Sequence, residues 1–490
     1  MNQEQPLNPL FFPKNVTIIG ASKSPNFGSG FFISALRRSG YPKEKIYLVN
    51  PKYAGTQIRG FDVYDSIISI NDQLDLVISA IRSNHVPDLL RDCVKLKVKF
   101  VLIFTSGFSE LLDEDSIKLE KELLEIIKGS DTRIVGPNCL GPLCPESKIT
   151  YNPKASMQIG NIGFCSQSGG HASTLVGIQN ARALYFSRGL SFGNQIDVNC
   201  LDVLKYYAEV SNVDVIGMYL ESTGSALGKD FFSEMKKVTK KKPVVIWKGG
   251  QTKVGLRAAA SHTGAISSNF EIWKSAITQA GGIFVTNSTE FWDMLHLFSC
   301  IVPSKKFLQG NRVALLVPGG GNSVEMTDTF SNPKMGFEVP ELSKQTQEEL
   351  AKLFPGVNTS FKNPIDTGAS GVLVDLTLKA IKALDIDENI DIIVNYLPIN
   401  WVSELERQGA KNYCNTIARS FGRLNRNLTK TLIFINPLLE LSEFDAKVTV
   451  PFRTILQKKH VPFFYNIQDT AITLRHLLNY QEYLAKTKNI

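Results

Sequence analysis

An α/β fold of three successive doubly wound sheets is what this sequence predicts. Three observations predict it. Short β-branched runs alternate with longer amphipathic segments, the pattern of parallel strands joined by crossover helices. The chain has 490 residues, room for about three domains of roughly 100–200 residues, each with a core of its own. Three of the runs end in turns rich in Gly and Ser that open a helical pattern, and the carboxyl ends of parallel strands are where such folds take ligands.

The first unit, residues 1–140, draws its strands from Val16–Gly20, Ile46–Val49, Leu76–Ser79, Phe100–Phe104 and Arg133–Val135. Val86–Lys97 and Ser116–Lys128 carry helical periodicity between them. A passage rich in Pro and Gly, from Gly136 to Pro153, crosses to the second unit, residues 141–303. Its expected strands are Ile162–Ser166, Ala183–Phe186, Val215–Leu220, Pro243–Trp247 and Ile283–Val285. The third unit, residues 304–490, follows a link near Pro303–Asn311. Arg312–Val317, Ile390–Val394, Thr431–Ile435 and Pro462–Tyr465 are its strands, and Asp469–Lys486 closes it as a helix.

Composition removes several classes. With 43% hydrophobic and 20% charged residues, a folded protein is expected rather than a disordered one. No apolar run approaches the roughly 20 residues that cross a bilayer, and Met1–Leu10 is too polar for a signal peptide. A cytoplasmic protein is the expectation, with no membrane partner. Seven scattered cysteines form no Cys-x-x-Cys pair, so neither a disulfide framework nor a metal site is expected. The net charge of +8 favours anionic ligands. No basic stripe with interleaved aromatics appears, which argues against nucleic acid.

The turns narrow the chemistry. A glycine turn at a helix start bares backbone N–H groups at the positive end of the helix dipole, which suits a phosphate. The first turn, Gly20 to Gly28, is neither Gly-x-Gly-x-x-Gly nor a P-loop. The second is Ser166-Gln-Ser168-Gly169-Gly170 and the third Pro318-Gly319-Gly320-Gly321-Asn322. Each alone could be architecture. Two of them in separate units, with no nucleoside fingerprint, suggest two docking places for one small phosphate.

Six histidines occur, and His296 and His476 read as ordinary helix residues. His262 differs. It follows the polar, Gly- and Ala-rich stretch Gln251–Ala260, and its small neighbours Ser261, Thr263 and Gly264 leave the ring unshielded. An unperturbed pKa of about 6.5 keeps one ring nitrogen unprotonated at neutral pH. Such a group can take a phosphoryl group and split one transfer into two easier ones. Its other N–H needs an acceptor. Glu221, ending the strand Met218–Glu221, is the candidate, with a helix-capping or surface carboxylate as the plainer alternative.

At these residues the chain resembles the α subunit of ADP-forming acyl-CoA synthetases, the acetate–CoA ligase (ADP-forming) type of the succinyl-CoA synthetase superfamily. The run Lys248-Gly-Gly-Gln-Thr-Lys-Val-Gly-Leu-Arg-Ala-Ala-Ala-Ser-His-Thr-Gly-Ala265 is similar to that family's phosphohistidine loop. Gly20-Ala-Ser22, Val49-Asn-Pro-Lys52, Thr105-Ser-Gly-Phe108, Gly136-Pro-Asn-Cys139, Ser166-Gln-Ser-Gly-Gly170 and Phe192-Gly-Asn-Gln195 support it.

The resemblance implies a Rossmann-like CoA-binding domain followed by two flavodoxin-like, succinyl-CoA synthetase-type domains. It implies that Gly20, Ser22, Asn50, Pro51, Lys52, Ser106 and Gly107 bind coenzyme A, with Asn138 nearer the thiol. It further implies that His262 and Glu221 are catalytic. The phosphoryl group would sit between the helix starts at Ser168, Gly169, Gly170 and at Gly319, Gly320, Gly321. Acyl-CoA, phosphate and ADP would become carboxylic acid, CoA and ATP, reversibly, through acyl phosphate and phosphohistidine. ATP or ADP with Mg2+ would bind mainly on an ATP-grasp β subunit in an α2β2 assembly, since three open sheets fill this chain. Two departures stand out: the turn Pro318–Asn322 and Ser222-Thr223 after Glu221, where glycine is frequent.

Rival readings are a succinyl-CoA synthetase α-like subunit, against which the third unit argues, and a non-catalytic CoA-binding sensor or scaffold. An NAD-dependent oxidoreductase stands further off, because the fingerprint at Gly20 fails.

Overall fold

A computed structural model of the chain describes residues 5–24, 28–257, 269–354, 356–437 and 442–488. His262 and its immediate neighbours lie outside the described residues. The architecture is α/β with three open sheets, as expected.

Strands β1 (Val16–Ile19), β2 (Ile46–Val49), β3 (Gln57–Ile58), β4 (Phe61–Tyr64), β5 (Leu76–Ser79), β6 (Phe100–Ile103) and β7 (Arg133–Val135) form the first sheet. Its order is β3-β4-β2-β1-β5-β6-β7, parallel except where β3 meets β4. Strands β1, β5 and β6 are buried at every residue. That explains their unbroken apolar runs: helices cover both faces of a parallel sheet. The five expected strands are present, and the β3–β4 ribbon adds an edge.

The second sheet holds β8 (Gly141–Leu143), β9 (Ile162–Ser166), β10 (Phe186–Ser191), β11 (Val215–Leu220), β12 (Val244–Lys248) and β13 (Ile283–Val285). Its order is β13-β12-β11-β9-β10-β8, with β8 antiparallel on β10. The strand expected at Ala183–Phe186 is displaced to Phe186–Ser191. Ala183 turns left-handed at φ 49°, and the Leu184 amide bonds back to Gln179 O, so these residues leave a helix instead of entering a strand. Phe164 and Phe186 pack with ring centroids 5.4 Å apart in this core, each burial worth about 1.5–3 kcal/mol.

The third sheet runs β15 (Ile365–Asp366), β14 (Val313–Val317), β16 (Ile392–Tyr396), β17 (Thr431–Ile435) and β18 (Phe463–Phe464), all parallel.

The chain divides into two compact units, residues 1–179 with 184–286, and 180–183 with 287–490. The first contains two sheets and the second one. Helix Ser288–Ser304, placed before the expected link at Pro303–Asn311, packs on helices Ile467–Lys488 and Glu443–Lys458. Among the described residues no helix is long and apolar enough to cross a membrane.

Candidate active site

Strand order in the first sheet grows both ways from β1, so the carboxyl ends of β1 and β5 flank a crevice. Gly20 closes it. Its φ is +82°, and a Cβ there would lie 2.7 Å from Ala80 O, so no other residue fits. Ser22 Oγ accepts from Ser24 N at 3.2 Å. Asn50 Nδ2 donates to Ala21 O at 2.8 Å, while Oδ1 accepts from Lys52 N at 3.0 Å. Asn50 thus ties the turn after β1 to Pro51 and Lys52 after β2. Lys23 and Lys52 set their ammonium groups 5.3 and 5.6 Å from the Tyr53 ring centroid, giving the rim positive charge. Ser106 is exposed at the next turn. Gly107 departs from expectation: its amide donates to Glu110 Oε1 at 2.6 Å and is not free for an anion.

Asn138 stands where the first sheet hands over to the second, left-handed at φ 58°, its amide on Thr105 O. The Phe192–Gln195 segment folds over it. Asn194 N donates to Pro137 O at 3.0 Å, and a Cβ on Gly193 would lie 2.1 Å from that same oxygen. The Asn194 side-chain amide donates to Glu110 Oε2 (2.7 Å) and Glu120 Oε2 (3.3 Å). A cavity of ≈ 150 Å³ opens here between Asn138, Leu140, Gly169, Gly170 and Asn194.

Gly169 and Gly170 begin helix Gly169–Gly177, with Ser168 as its N-cap accepting from His171 N at 3.3 Å. Gln167, one residue earlier, reaches across to β11: its Oε1 accepts from the amides of Glu221 (2.8 Å) and Ser222 (3.0 Å). Glu221 is therefore fixed to the strand–helix turn that carries the glycines. It is 8% exposed. Tyr219 donates to its Oε1 at 3.1 Å, while Oε2 is fully buried and has no hydrogen-bond partner among the described residues. Burial first, and Glu221 second, push the Tyr219 phenol well above its usual pKa, so it stays a donor. A buried carboxylate oxygen with an open lone pair calls for a donor.

Lys248 ends β12 beside Leu220 of β11 and is 1% exposed. Gly249 N bonds Leu220 O, and Gln251 Nε2 donates to Lys248 O and Thr286 O. The root of the segment that leads to His262 is thus tied down at both sides.

In the other unit, Gly319 is left-handed at φ +115° before helix Gly320–Phe330. The expected anion cradle already holds a carboxylate. Asp366 Oδ1 accepts from Gly319 N (3.0 Å) and Gly368 N (2.9 Å), so Gly319 is engaged. Gly320 and Gly321 remain exposed. A cavity of ≈ 640 Å³ adjoins Gly319 and Gly320, lined also by Ser360, Asp366 and Trp401.

Of the expected residues, the structure gathers Glu221, Ser168, Gly169, Gly170 and Asn138 at one strand edge, and Gly20, Ser22, Asn50, Pro51, Lys52, Ser106 and Gly107 along another. Sequence reasoning passed over Gln167, Asn194, Tyr219 and Lys248 as individuals, although all but Tyr219 lay in motifs that it did use.

Comparison with known proteins gives this geometry a family. Residues 14–145 match the CoA binding domain family, and residues 159–298 match the succinyl-CoA ligase like flavodoxin domain. A CoA-binding sheet followed by that flavodoxin-type sheet defines an acid–thiol ligase of the succinyl-CoA ligase kind. The chain is 33% identical over 465 residues to acetate–CoA ligase (ADP-forming) II subunit alpha of Pyrococcus furiosus, covering 95% of itself and 96% of that protein. The chain belongs to the family of ADP-forming acetate–CoA ligase α subunits. It is also 29% identical to 4-hydroxybutyrate–CoA ligase (ADP-forming) of Nitrosopumilus maritimus, over 97% of this chain and 64% of that one. It spans about half the length of two acetate–CoA ligases (ADP-forming), from Archaeoglobus fulgidus and Methanocaldococcus jannaschii. In structure it is similar to the dinucleotide forming acetyl-coenzyme A synthetase 1 of Ca. Korarchaeum cryptofilum, in complex with phosphate and ADP. The TM-score is 0.80, with 26% identity and 98% of both chains covered.

Proposed function

We propose that this chain catalyses the CoA- and phosphate-handling half of a reversible acyl-CoA ligase reaction, with His262 as the phosphorylated residue. The observation that carries the reading is Glu221: a buried carboxylate whose Oε2 has no donor among the described residues, tied through Gln167 to the helix start at Ser168–Gly170. That is the provision an incoming histidine needs, with one ring N–H held by a carboxylate and the other nitrogen facing an anion.

Three domains divide the work: residues 1–140 for CoA, 141–303 for phosphoryl transfer, and 304–490 for a second glycine-rich helix start. Gly20, Ser22, Asn50, Pro51 and Lys52 take the nucleotide and phosphates of CoA. The pantetheine runs toward Asn138. Phosphate oxygen attacks the thioester carbonyl, the C–S bond breaks, and acyl phosphate and CoA form. The nitrogen of His262 then attacks phosphorus, the P–O bond to the acyl group breaks, and the carboxylate leaves. The amides at Gly169 and Gly170 stabilise the oxygens carrying negative charge. An ATP-grasp β subunit, in an α2β2 assembly in the cytoplasm, passes the phosphoryl group to ADP with Mg2+. Short and longer carboxylic acids are candidate substrates.

The test is phosphorylation. The chain with its β partner, labelled ATP and magnesium should acquire acid-labile, base-stable label. His262→Ala should acquire none. Absence of label on the wild-type complex would favour a CoA sensor that keeps the fold without turnover.

A further inference from the structure

We infer that Gln167 is a substrate-contacting residue, its side-chain carboxamide donating an N–H to the phosphate seated at the Ser168–Gly170 helix start. The identity of that anion rests on the function proposed above.

Gln167 lies between strand β9 and that helix and is 4% exposed. Its backbone amide donates to Tyr219 O at 3.1 Å, which fixes the residue against β11. The carboxamide can be placed only one way round. Oε1 accepts from the amides of Glu221 at 2.8 Å and Ser222 at 3.0 Å, and of the two ends of a carboxamide only the oxygen accepts. The nitrogen is thereby assigned as well, and it carries two hydrogens. One goes to Ser222 Oγ at 3.3 Å, a hydroxyl that the glycine frequent at this position would not supply. The two hydrogens of a planar carboxamide diverge, so the second points away from Ser222.

The surroundings of Gln167 give that hydrogen its use. Gln167 lines the ≈ 150 Å³ cavity together with Gly169, Gly170, Asn138 and Asn194. Asn194 does not serve an anion there, because its side-chain amide donates to Glu110 and Glu120. The helix start offers backbone N–H groups at the positive end of its dipole, and a phosphate has more oxygens than one helix start faces. A donor on a residue that solvent barely reaches is costly to leave unused, and an anionic oxygen is the strongest acceptor for it. Being neutral, the carboxamide adds this contact without forming an ion pair with the neighbouring Glu221 carboxylate.

The experiment is an NMR titration of the full chain, isotope-labelled at its glutamine side chains, with inorganic phosphate. Gln167→Glu, which keeps an oxygen for the Glu221 and Ser222 amides, identifies the Gln167 Nε2 proton pair by its absence. One proton of that pair should move downfield and saturate at the phosphate affinity measured by calorimetry. A pair that stays still while phosphate binds overturns the inference, as does a chain that binds no phosphate. Steady-state rates of the complex with its β partner, run from acyl-CoA and phosphate, give a second readout. KM for phosphate should rise roughly tenfold to hundredfold in Gln167→Glu, the range of a hydrogen bond to a charged group. A fall in kcat with an unchanged KM for phosphate would mean that Gln167 serves only to hold Glu221, and overturns the inference. A shifted proton on a chain that takes no label from ATP with its partner would leave the phosphate contact standing and sink the transfer reading.

Discussion

Position 221 separates charge from shape with one atom. In Glu221→Gln the Tyr219 hydroxyl still finds a carbonyl oxygen, but an NH2 group replaces the buried acceptor that has no donor among the described residues. The fold should hold, with a melting temperature close to wild type. Histidine phosphorylation should fall on the order of 10²- to 10⁴-fold, the scale seen when a buried carboxylate that orients a catalytic histidine becomes an amide. Full label on Glu221→Gln would remove the carboxylate from the mechanism. Residues of this kind were legible in the sequence to different depths. Glu221 could be read because it ends an apolar strand, and Gly20 because a turn must follow β1. Lys248 could not, since nothing local announces that a lysine will be buried against the next strand. The turn at Gly319 read as free amides, whereas Asp366 occupies it; Gly107, named only through the resemblance, gives its amide to Glu110. Asp366 lies 47 positions away from Gly319, and only the β14–β15 pairing brings it there.

At the scale of elements, the strands that could be read are those buried on both faces, because continuous apolar runs leave one reading. Strand β10 broke that rule. Its Ser187, Arg188, Gly189 and Ser191 are buried, with Arg188 pairing Glu146 at 3.2 Å and Ser187 donating to Asn212, so polar letters hide an interior strand. Strand β8 was lost in the Pro- and Gly-rich passage, where Pro142 tolerates an edge strand. The β10 exit matters for function, since Phe192–Gln195 seals Asn138. Gly193→Ala tests that seal. The new methyl would meet Pro137 O at 2.1 Å, at φ +56°, so the segment has to move. A loss of about 1–3 kcal/mol in stability is expected, read as a lower unfolding midpoint. With the CoA thiol placed near Asn138 as proposed, KM for CoA should rise more than kcat falls. Unchanged stability would mean that the segment does not pack as described.

For the molecule as a whole, the decisive question is where the phosphoryl group enters. Each described sheet is an open parallel or mixed sheet with a glycine-rich turn or a CoA-type crevice, and the CoA-binding and flavodoxin-type families account for residues 14–145 and 159–298. Two relatives named as acetate–CoA ligases, with no subunit in the name, run to about twice the matched length, 54% and 48% of them being covered. A relative named as an α subunit is matched almost end to end. Under the proposed function the nucleotide step falls to a second polypeptide, and the two directions of charging should separate. On that reading the chain alone, given acyl-CoA and labelled phosphate, should acquire base-stable label. The same chain given labelled ATP and magnesium should acquire none until the β subunit is added. His262→Ala should be blank in both. Label from ATP on the isolated chain would place a nucleotide site within these 490 residues and overturn the division of labour. Label that needs the partner in both directions would mean that the second subunit also completes the phosphate site.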